Sequence, residues 1–585
     1  MDYNEHRAAS TDTTTTTLST APPSKDINEE NRGKEGSTAV LEDLQVSDTQ
    51  DAGANALSSP PEEQLPPPPS PSTWKLVAIN VASCLAVLCV ALDNTILATA
   101  IPRITDDFHA LQDVGWYGSS YLLTTSAFQL LFGKFYSQFN VKWTFLSALA
   151  LFEIGSLICA VAPNSIALIV GRAIAGLGSA GIFSGAQIIV AYTVPLEKRG
   201  MYTGLIGGTY GIASILGPLL GGAFTDRVTW RWCFYINLPI GAVTAVLNLL
   251  LFKVPAGEPR PSIGFKARLL QFDPVGSILF IPSIICLLLA LQWGGTIYPW
   301  SSGRVIALFV VFGVTIIAFT VVQWWVGNDA TVPKRIVFRR TISFGSLFGF
   351  CLGGAFFIVV YYVPIWFQAV HGVSPMQSGI NNIPLIMAQV VGTVGSGIAT
   401  VAIGHYMPFV YGSVVLMSIG AGLLTTFHVH TPSSQWIGYQ IIFGLGVGLG
   451  FQQPITAAQA ILPMADIAAG CTAVLFFQLL GGTLLVSIGQ NLFTNELSSG
   501  LSKISGVDAA ELIQEGVGSI RTNLSGNSIA EALVVYNGAI TKAFQASMIL
   551  ACISALGALG MEWKSVKAPK SKPADEQADG EKVYF

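Results

Sequence analysis

Charged side chains are scarce in this sequence. Aspartate, glutamate, lysine and arginine make up 11% of the 585 residues, whereas hydrophobic residues make up 51%. Because an ordinary soluble domain has roughly a quarter of its residues charged, this composition excludes a typical water-soluble fold. The formal net charge is only -4 and is spread through the loops, so we expect no nucleic-acid partner.

Signatures of disulfides, metal centres and common active sites are also missing. The eight cysteines lie in or beside apolar stretches, and none of them forms a CxxC pair. The sequence contains no P-loop, no HExxH motif and no GxSxG motif in a plausible context. We therefore expect a protein that is not an enzyme and that holds neither a cofactor nor a metal.

The first residues lack the apolar segment of a signal peptide. Residues 1–72 are polar and of low complexity, with a threonine run at 13–17 and a proline run at 66–69. Such sequence buries too little apolar surface to offset its ordering entropy. We interpret residues 1–72 as a disordered cytosolic tail without a cleaved signal, and residues 562–585 as a second cytosolic tail.

Long apolar runs fill the chain between these tails. About fourteen runs of 18 or more mostly apolar residues are present, each long enough to cross a hydrocarbon layer about 30 Å thick. They predict an all-α integral membrane protein. We place the spans near 75–101, 114–134, 143–162, 165–191, 201–222, 234–252, 273–293, 304–326, 343–368, 379–402, 408–427, 436–460, 467–490 and 543–561.

Basic residues are distributed unequally between the predicted loops. The loops on the N-terminal side hold about twelve lysines and arginines, against four on the other side. This bias predicts that both termini are cytosolic. A polar segment at 491–542 would then form an outer loop, in which Asn523 begins the chain's only N-x-S/T sequon, a candidate glycosylation site.

A weak internal repeat suggests two related halves. The pattern Gly133-x6-Asn140-x-Lys142 is similar to Gly397-x6-Gly404-His405. Two homologous six-span halves are a common plan for transporters. We expect an N-terminal bundle at 73–253, a linker with two inserted spans at 254–342, and a C-terminal bundle at 343–561 that includes the outer loop.

Three charged residues lie inside predicted spans, where each costs about 2.5 to 3.5 kcal/mol on insertion scales. They are Asp93, Glu153 and Arg172, all about 10 to 14 Å deep by helical rise. A carboxylate and a guanidinium at one depth can form a pair that protonation breaks. We predict that these residues couple proton binding to helix movement; the alternative is a static ion pair that fixes packing.

Other polar, aromatic and small residues in the spans are candidates for a transport path. In span five, glycines permit close helix contact and a proline permits a bend, although packing alone could explain both. These residues are Gly204, Gly217, Pro218, Gly221 and Gly222. Candidates for lining a substrate path are Gln129, Gln187, Tyr361, Trp366, Gln389, Gln452, Gln453, Gln459 and Gln478.

Several motifs together resemble one family. They are LDNTILATAIP at 92–102, Arg172-x3-Gly176-x-Gly178, Gly217-Pro218-x2-Gly221-Gly222 and WRWCFYINLP at 230–239. Over residues 74–561 the chain resembles the fourteen-span drug:proton antiporters of the major facilitator superfamily, and among them the fungal toxin and multidrug exporters. The resemblance implies two six-helix bundles plus two inserted helices.

The resemblance also implies roles for particular residues. It assigns Asp93 and Arg172 to proton coupling, the span-five glycines to an antiporter motif, and Gly133 and Lys142 to an inner gate. The chain departs from the family at 137 and 138, where serine and glutamine replace an acidic residue and an arginine. The proton step is therefore expected to depend more heavily on Asp93 and Arg172.

The leading functional hypothesis is proton-coupled efflux of a small organic compound by alternating access. Proton-coupled uptake, a vacuolar carrier for siderophores or basic amino acids, and a non-transporting nutrient sensor remain as alternatives. The expected partners are a small-molecule substrate, protons and the lipid bilayer. We expect a monomer in the plasma membrane, with a vacuolar or vesicle membrane as the alternative.

Overall fold

The computed structural model describes residues 72–110, 113–253, 271–295, 297–504 and 527–567. The predicted tails lie outside these residues, apart from Ser72 and residues 562–567, and so does the predicted glycosylation site at Asn523.

The N-terminal half is a bundle of long helices. Apolar runs fold as helices in a membrane because hydrocarbon offers no partner for backbone polar groups, and a helix satisfies them internally. The helices are α1 (Thr73–Phe108), α2 (Val114–Gln138), α3 (Val141–Ala160), α4 (Ser165–Thr193), α5 (Leu196–Arg227), α6 (Trp232–Tyr235) and α7 (Asn237–Leu251). The last two together make one span, Trp232–Leu251.

Two inserted spans follow, α8 (Pro274–Trp293) and α9 (Gly303–Val326), and then the short α10 (Lys334–Val337). Asp273 fixes the base of this hairpin. Its carboxylate accepts hydrogen bonds from the backbone N–H of Gly276 at 2.8 Å, as the N-cap of α8, and from the N–H of Thr331 at 3.0 Å. One carboxylate therefore joins the start of α8 to the segment after α9.

The C-terminal half repeats the bundle. Its helices are α11 (Arg340–Ala369), α12 (Pro375–Asn381), α13 (Ile383–Ile403), α14 (Met407–Leu424), α15 (Ser433–Phe451), α16 (Gln453–Ile461), α17 (Met464–Leu501) and α18 (Asn527–Gly560). The pairs α12–α13 and α15–α16 each make one span, Pro375–Ile403 and Ser433–Ile461.

Thirteen helical stretches among the described residues are long and apolar enough to cross a membrane. The remaining predicted span corresponds to α2, which is less apolar because it carries serine, threonine and glutamine. At 25 residues α2 is about 37 Å long, which is sufficient to cross the bilayer. It packs between α4 of its own half and α17 of the other. The helical fold with two bundles and an inserted pair is confirmed.

The predicted outer loop at 491–542 is wrong at both ends. Helix α17 continues to Leu501, and α18 begins at Asn527. Apolar side chains hold the two extensions together, including Leu497 and Leu533 in the core and the rings of Phe493 and Tyr536, whose centroids are 5.9 Å apart. Hydropathy detects only the part of a helix that crosses lipid, so it missed the parts that protrude.

The two halves meet along two helix pairs, α5 with α13 and α2 with α17. We call the end of the bundle that carries Lys134, Lys142 and Arg199 the basic end, which the positive-inside rule predicts to be cytosolic. Toward the opposite end of the bundle, α5 packs against α1 instead of α13. The hydroxyl of Thr95 donates there to the carbonyl of Ala213 at 3.2 Å.

The α1–α5 contact yields a first testable prediction. A Cβ at Gly221 would lie 2.2 Å from Thr99 Oγ1 and 2.8 Å from the Ile96 carbonyl oxygen, whereas a Cβ at Gly222 would meet nothing within 4 Å. We expect Gly221→Ala to cost about 1 to 3 kcal/mol because α1 must shift, and Gly222→Ala to be neutral. Melting temperatures of the purified proteins in detergent measure this, and equal values would contradict the proposed contact.

Candidate functional site

An ion pair lies inside the N-terminal bundle. Arg172 Nη1 of α4 is 2.5 Å from Asp93 Oδ2 of α1, and both side chains have 0% exposure. Small residues in α4, including Gly176 and Gly178, let the neighbouring helices approach closely around the guanidinium. Two of the three charged residues predicted to interact therefore do so.

Further helices complete the surroundings of the pair. Asn237 of α7 donates its Nδ2 to Asp93 Oδ1 at 3.2 Å, and Arg172 donates its Nε to the carbonyl of Tyr117 in α2 at 2.9 Å. The guanidinium also lies over the ring of Tyr121, 4.3 Å from its centroid. The pair and its partners thus connect four helices, α1, α2, α4 and α7.

Glu153 of α3 makes no hydrogen bond to this ion pair. Its two carboxyl oxygens are buried and make no hydrogen bond among the described residues. The side chain points at α7, where a Cβ added to Gly241 would lie against Glu153 Oε1. A role in proton coupling for this second carboxyl stays a prediction.

A central cavity lies between the two halves. Aromatic and aliphatic side chains dominate its wall, and amide and hydroxyl groups interrupt them. It is lined by Val90, Asn94, Tyr121, Leu122, Thr125, Gln129, Ser179, Phe183, Tyr210, Phe357, Phe451, Leu475, Gln478 and Leu479. None of these lining residues is aspartate, glutamate, lysine, arginine or histidine. A mostly apolar pocket with a few polar groups is typical of small-molecule sites.

One aromatic ring separates the cavity from the ion pair. Tyr121 lines the cavity, and the Arg172 guanidinium stacks on the Tyr121 ring. Asn94, the neighbour of Asp93 in α1, lines the cavity as well. The cavity wall and the surroundings of the ion pair therefore share helices α1 and α2.

Neutral amides join the halves at the basic end. Gln187 Nε2 of α4 donates to Gln452 Oε1 at 3.2 Å, and Gln459 Nε2 donates to the carbonyl of Gln187 at 3.1 Å. The buried Arg199 of α5 donates to three backbone carbonyls, among them that of Gln459 at 3.3 Å. Side-chain amides, backbone carbonyls and the Arg199 guanidinium thus make these contacts.

Glycines bring the helix backbones together at the same end. A Cβ at Gly397 of α13 would lie 2.4 Å from the carbonyl oxygen of Gly200, and one at Gly204 would lie 2.9 Å from that of Thr393. On the other helix pair, a Cβ at Gly133 would lie 3.0 Å from Thr472 Cβ of α17. The repeated glycines noted in the sequence, Gly133 and Gly397, therefore occupy corresponding contacts between the halves.

The structure divides the remaining predicted residues among several places. Gln129 and Gln478 line the cavity, and Gln453 accepts a hydrogen bond from Thr400 at 3.3 Å near the basic end. Gln389 is buried where α13 meets α5. Lys142 lies within the N-terminal half and donates to the carbonyl of Leu249 at 2.7 Å.

Two predicted path residues lie away from the cavity. Trp366 is buried in the core of the C-terminal half, where its Nε1 donates to Asn537 Oδ1 at 2.8 Å. Tyr361 is 49% exposed on α11. Neither lines the central cavity.

The sequence reasoning did not single out the aromatic wall of the cavity. Tyr121, Phe183, Tyr210, Phe357 and Phe451 belong to five different helices and share no motif. The available signal was indirect, because Tyr121 lies in the first third of α2, a span that carries several serines and threonines, where a polar-tipped ring has reason to face the interior.

Solved structures of low sequence identity share this fold. The proton:xylose symporter XylE, bound to 6-bromo-6-deoxy-D-glucose, is similar with a TM-score of 0.55 and 15% identity, over 84% of this chain and 97% of that one. The human organic anion transporter MFSD10 is similar with a TM-score of 0.53 and 14% identity, over 81% and 99% of the two chains.

Curated relatives are much more similar in sequence. The MFS-type efflux pump MFS1 of Arthroderma benhamiae is 58% identical over 86% of this chain and 94% of its own length. The efflux pump aflT of Aspergillus parasiticus is 53% identical, with 85% and 97% covered, and the efflux pump roqT of Penicillium rubens is 49% identical, with 87% and 95% covered. The family model described as Major Facilitator Superfamily matches residues 83–486. The chain therefore belongs to the major facilitator superfamily.

Proposed function

We propose that this protein is a proton-coupled secondary active exporter of a small organic compound, and that it is a transporter rather than an enzyme. The observation that carries the proposal is the buried Asp93–Arg172 pair, which lies one ring away from the mostly apolar cavity between the two halves. Relatives named efflux pumps, at 49% to 58% identity over most of both chains, support the direction of transport.

Coupling would proceed through the charge on Asp93. While Asp93 is ionised, it holds Arg172 and, through Asn237, joins α1 to α7. A proton that reaches Asp93 from outside neutralises the carboxylate, so the guanidinium loses its counter-charge and seeks other acceptors. Release of the proton to the cytosol restores the pair, and cargo leaves in the opposite direction within the same cycle.

Alternating access would use the contacts between the halves at the basic end. Hydrogen bonds among Gln187, Gln452 and Gln459 would close that side after cargo has entered from the cytosol. Gln187 Oε1 and Gln452 Nε2 have no hydrogen-bond partner among the described residues, so the closed state retains unsatisfied polar atoms. Such a gate can reopen at modest cost in every cycle.

The remaining assignments are part of the same proposal. Gln129 and Gln478 would contact cargo in the cavity. The glutamines at the basic end would control the entry of cargo into the cavity. Gly133 would let α2 slide against α17, and Glu153 would offer a second proton site. We place the protein, as a monomer, in the plasma membrane.

The test is a comparison of intracellular and secreted metabolites in source cells with and without the gene. We expect at least one organic compound to accumulate inside the cells that lack it and to be secreted again when it is restored. Equal profiles in the two strains, or accumulation of a compound in the strain that has the gene, would contradict export.

A further inference from the structure

Among the described residues, those that line the central cavity include no aspartate, glutamate, lysine, arginine or histidine, and they would meet a charge with amides, hydroxyls and aromatic rings. Amide groups come from Asn94, Gln129 and Gln478, and hydroxyls from Thr125 and Ser179. The charges of Asp93 and Arg172 have 0% exposure and neutralise one another behind Tyr121. A charged molecule would therefore enter without a counter-ion.

A charged molecule bound in this cavity without a counter-ion would cost a large free energy of desolvation. A charge at the centre of a membrane protein normally pairs with an opposite charge, because burial without one loses much of its hydration energy. Rings lining this cavity, such as Phe183, Phe357 and Phe451, offer apolar contact and stacking to a planar molecule instead. Three amides at the wall can orient carbonyl and hydroxyl groups of the cargo.

We propose that the cargo is an uncharged, ring-containing molecule with several oxygen functions, and that its exchange for protons is therefore electrogenic. This inference rests on the proposed function. An uncharged molecule that leaves while protons enter moves as much net charge per cycle as there are protons. A singly charged cation exchanged for one proton would move none, so the membrane potential distinguishes the two cases.

The test uses the compound that accumulates in cells lacking the protein, with the purified full chain in proteoliposomes. At equal pH on both sides, an interior-positive potential should drive protons out and the compound in. Each change of about 60 mV should raise the accumulation ratio roughly tenfold per proton exchanged. Electrophoresis at pH 7 should show that the compound itself carries no net charge.

The outcomes separate this inference from the proposed function. Accumulation driven by a pH gradient but indifferent to the potential, or a compound that migrates as an ion, would overturn the uncharged cargo and leave export standing. Absence of any retained compound, or of transport under either gradient, would overturn both.

A variant tests whether the cavity holds this cargo. Gln129→Glu places an acid in the cavity wall, and we expect it to lower transport of the uncharged compound at least tenfold. Gln377→Glu makes the same substitution on the exposed surface of α12 and should behave as the wild type. Equal transport by the two variants would show that cargo does not contact Gln129, against the proposal.

Discussion

Asp93→Asn should abolish proton-driven export while the protein still reaches the membrane. The amide cannot exchange a proton with the solution, so the step that separates Asp93 from Arg172 is lost. We expect export to fall by at least a factor of 100, measured as secretion of the retained compound per unit of surface protein. Wild-type secretion by this variant would contradict the role of the pair.

A matched control lies on the same helix. Asp107 of α1 accepts a hydrogen bond from Trp230 Nε1 at 2.7 Å, and an asparagine there can still accept it through its side-chain oxygen. Asp107→Asn should therefore secrete as the wild type does. This control separates the loss of a buried, paired carboxylate from the general effect of an Asp-to-Asn change in α1.

Instability could also reduce export, and a second variant resolves this. Removing only Asp93 leaves Arg172 buried without its counter-charge, a change that costs about 3 to 5 kcal/mol in buried pairs. The double variant Asp93→Asn with Arg172→Gln removes both charges and should regain most of the lost thermal stability. It should remain unable to export against a gradient, which a purely structural ion pair would not predict.

Gly397→Ala should have the second large effect, because it prevents closure at the basic end. The new methyl carbon would lie 2.4 Å from the carbonyl oxygen of Gly200, which is backbone and cannot rotate away. Helices α5 and α13 must then separate. We expect secretion to fall at least tenfold. Gly395→Ala, two residues earlier on the same helix, meets nothing within 4 Å and should be neutral.

The accessibility of a native cysteine tests whether Gly397→Ala lowers secretion by preventing closure of the basic end. Cys471 is buried beside the basic end, and its modification by a maleimide applied from the cytosolic side requires that end to open. Labelling of Cys471, followed by mass spectrometry of its peptide, should increase in Gly397→Ala and stay at the wild-type level in Gly395→Ala. Unchanged labelling in both variants would show that closure does not depend on Gly397.

The fold and the ion pair were predictable from the sequence for the same physical reason. Hydrocarbon penalises unpaired backbone groups and charges, so apolar runs mark helices and the rare charges Asp93 and Arg172 mark a site. The same argument singled out Glu153, but hydropathy does not specify toward which neighbour a side chain points. The structure directs Glu153 at Gly241 of α7, where its carboxyl makes no hydrogen bond among the described residues.

The cavity was only partly predictable, because hydropathy does not define how each helix is rotated. Gln129 and Gln478 line it, whereas Trp366 points into its own bundle toward Asn537. Phe357 and Phe451 are as apolar as the residues that face lipid, and only the packing of the two halves brings them to one cavity. The contacts at the basic end were not predictable for the same reason, because the hydrogen bond between Gln187 and Gln452 joins residues 265 positions apart.

The measurement that tests the central claim most directly compares two modes of transport in proteoliposomes containing wild-type or Asp93→Asn protein. Counterflow exchanges labelled for unlabelled compound and needs no net proton movement, whereas accumulation under a pH gradient needs coupling. We predict that the wild type performs both and that Asp93→Asn retains counterflow but loses accumulation. Full accumulation by Asp93→Asn under the same gradient would contradict the assignment of proton coupling to the Asp93–Arg172 pair.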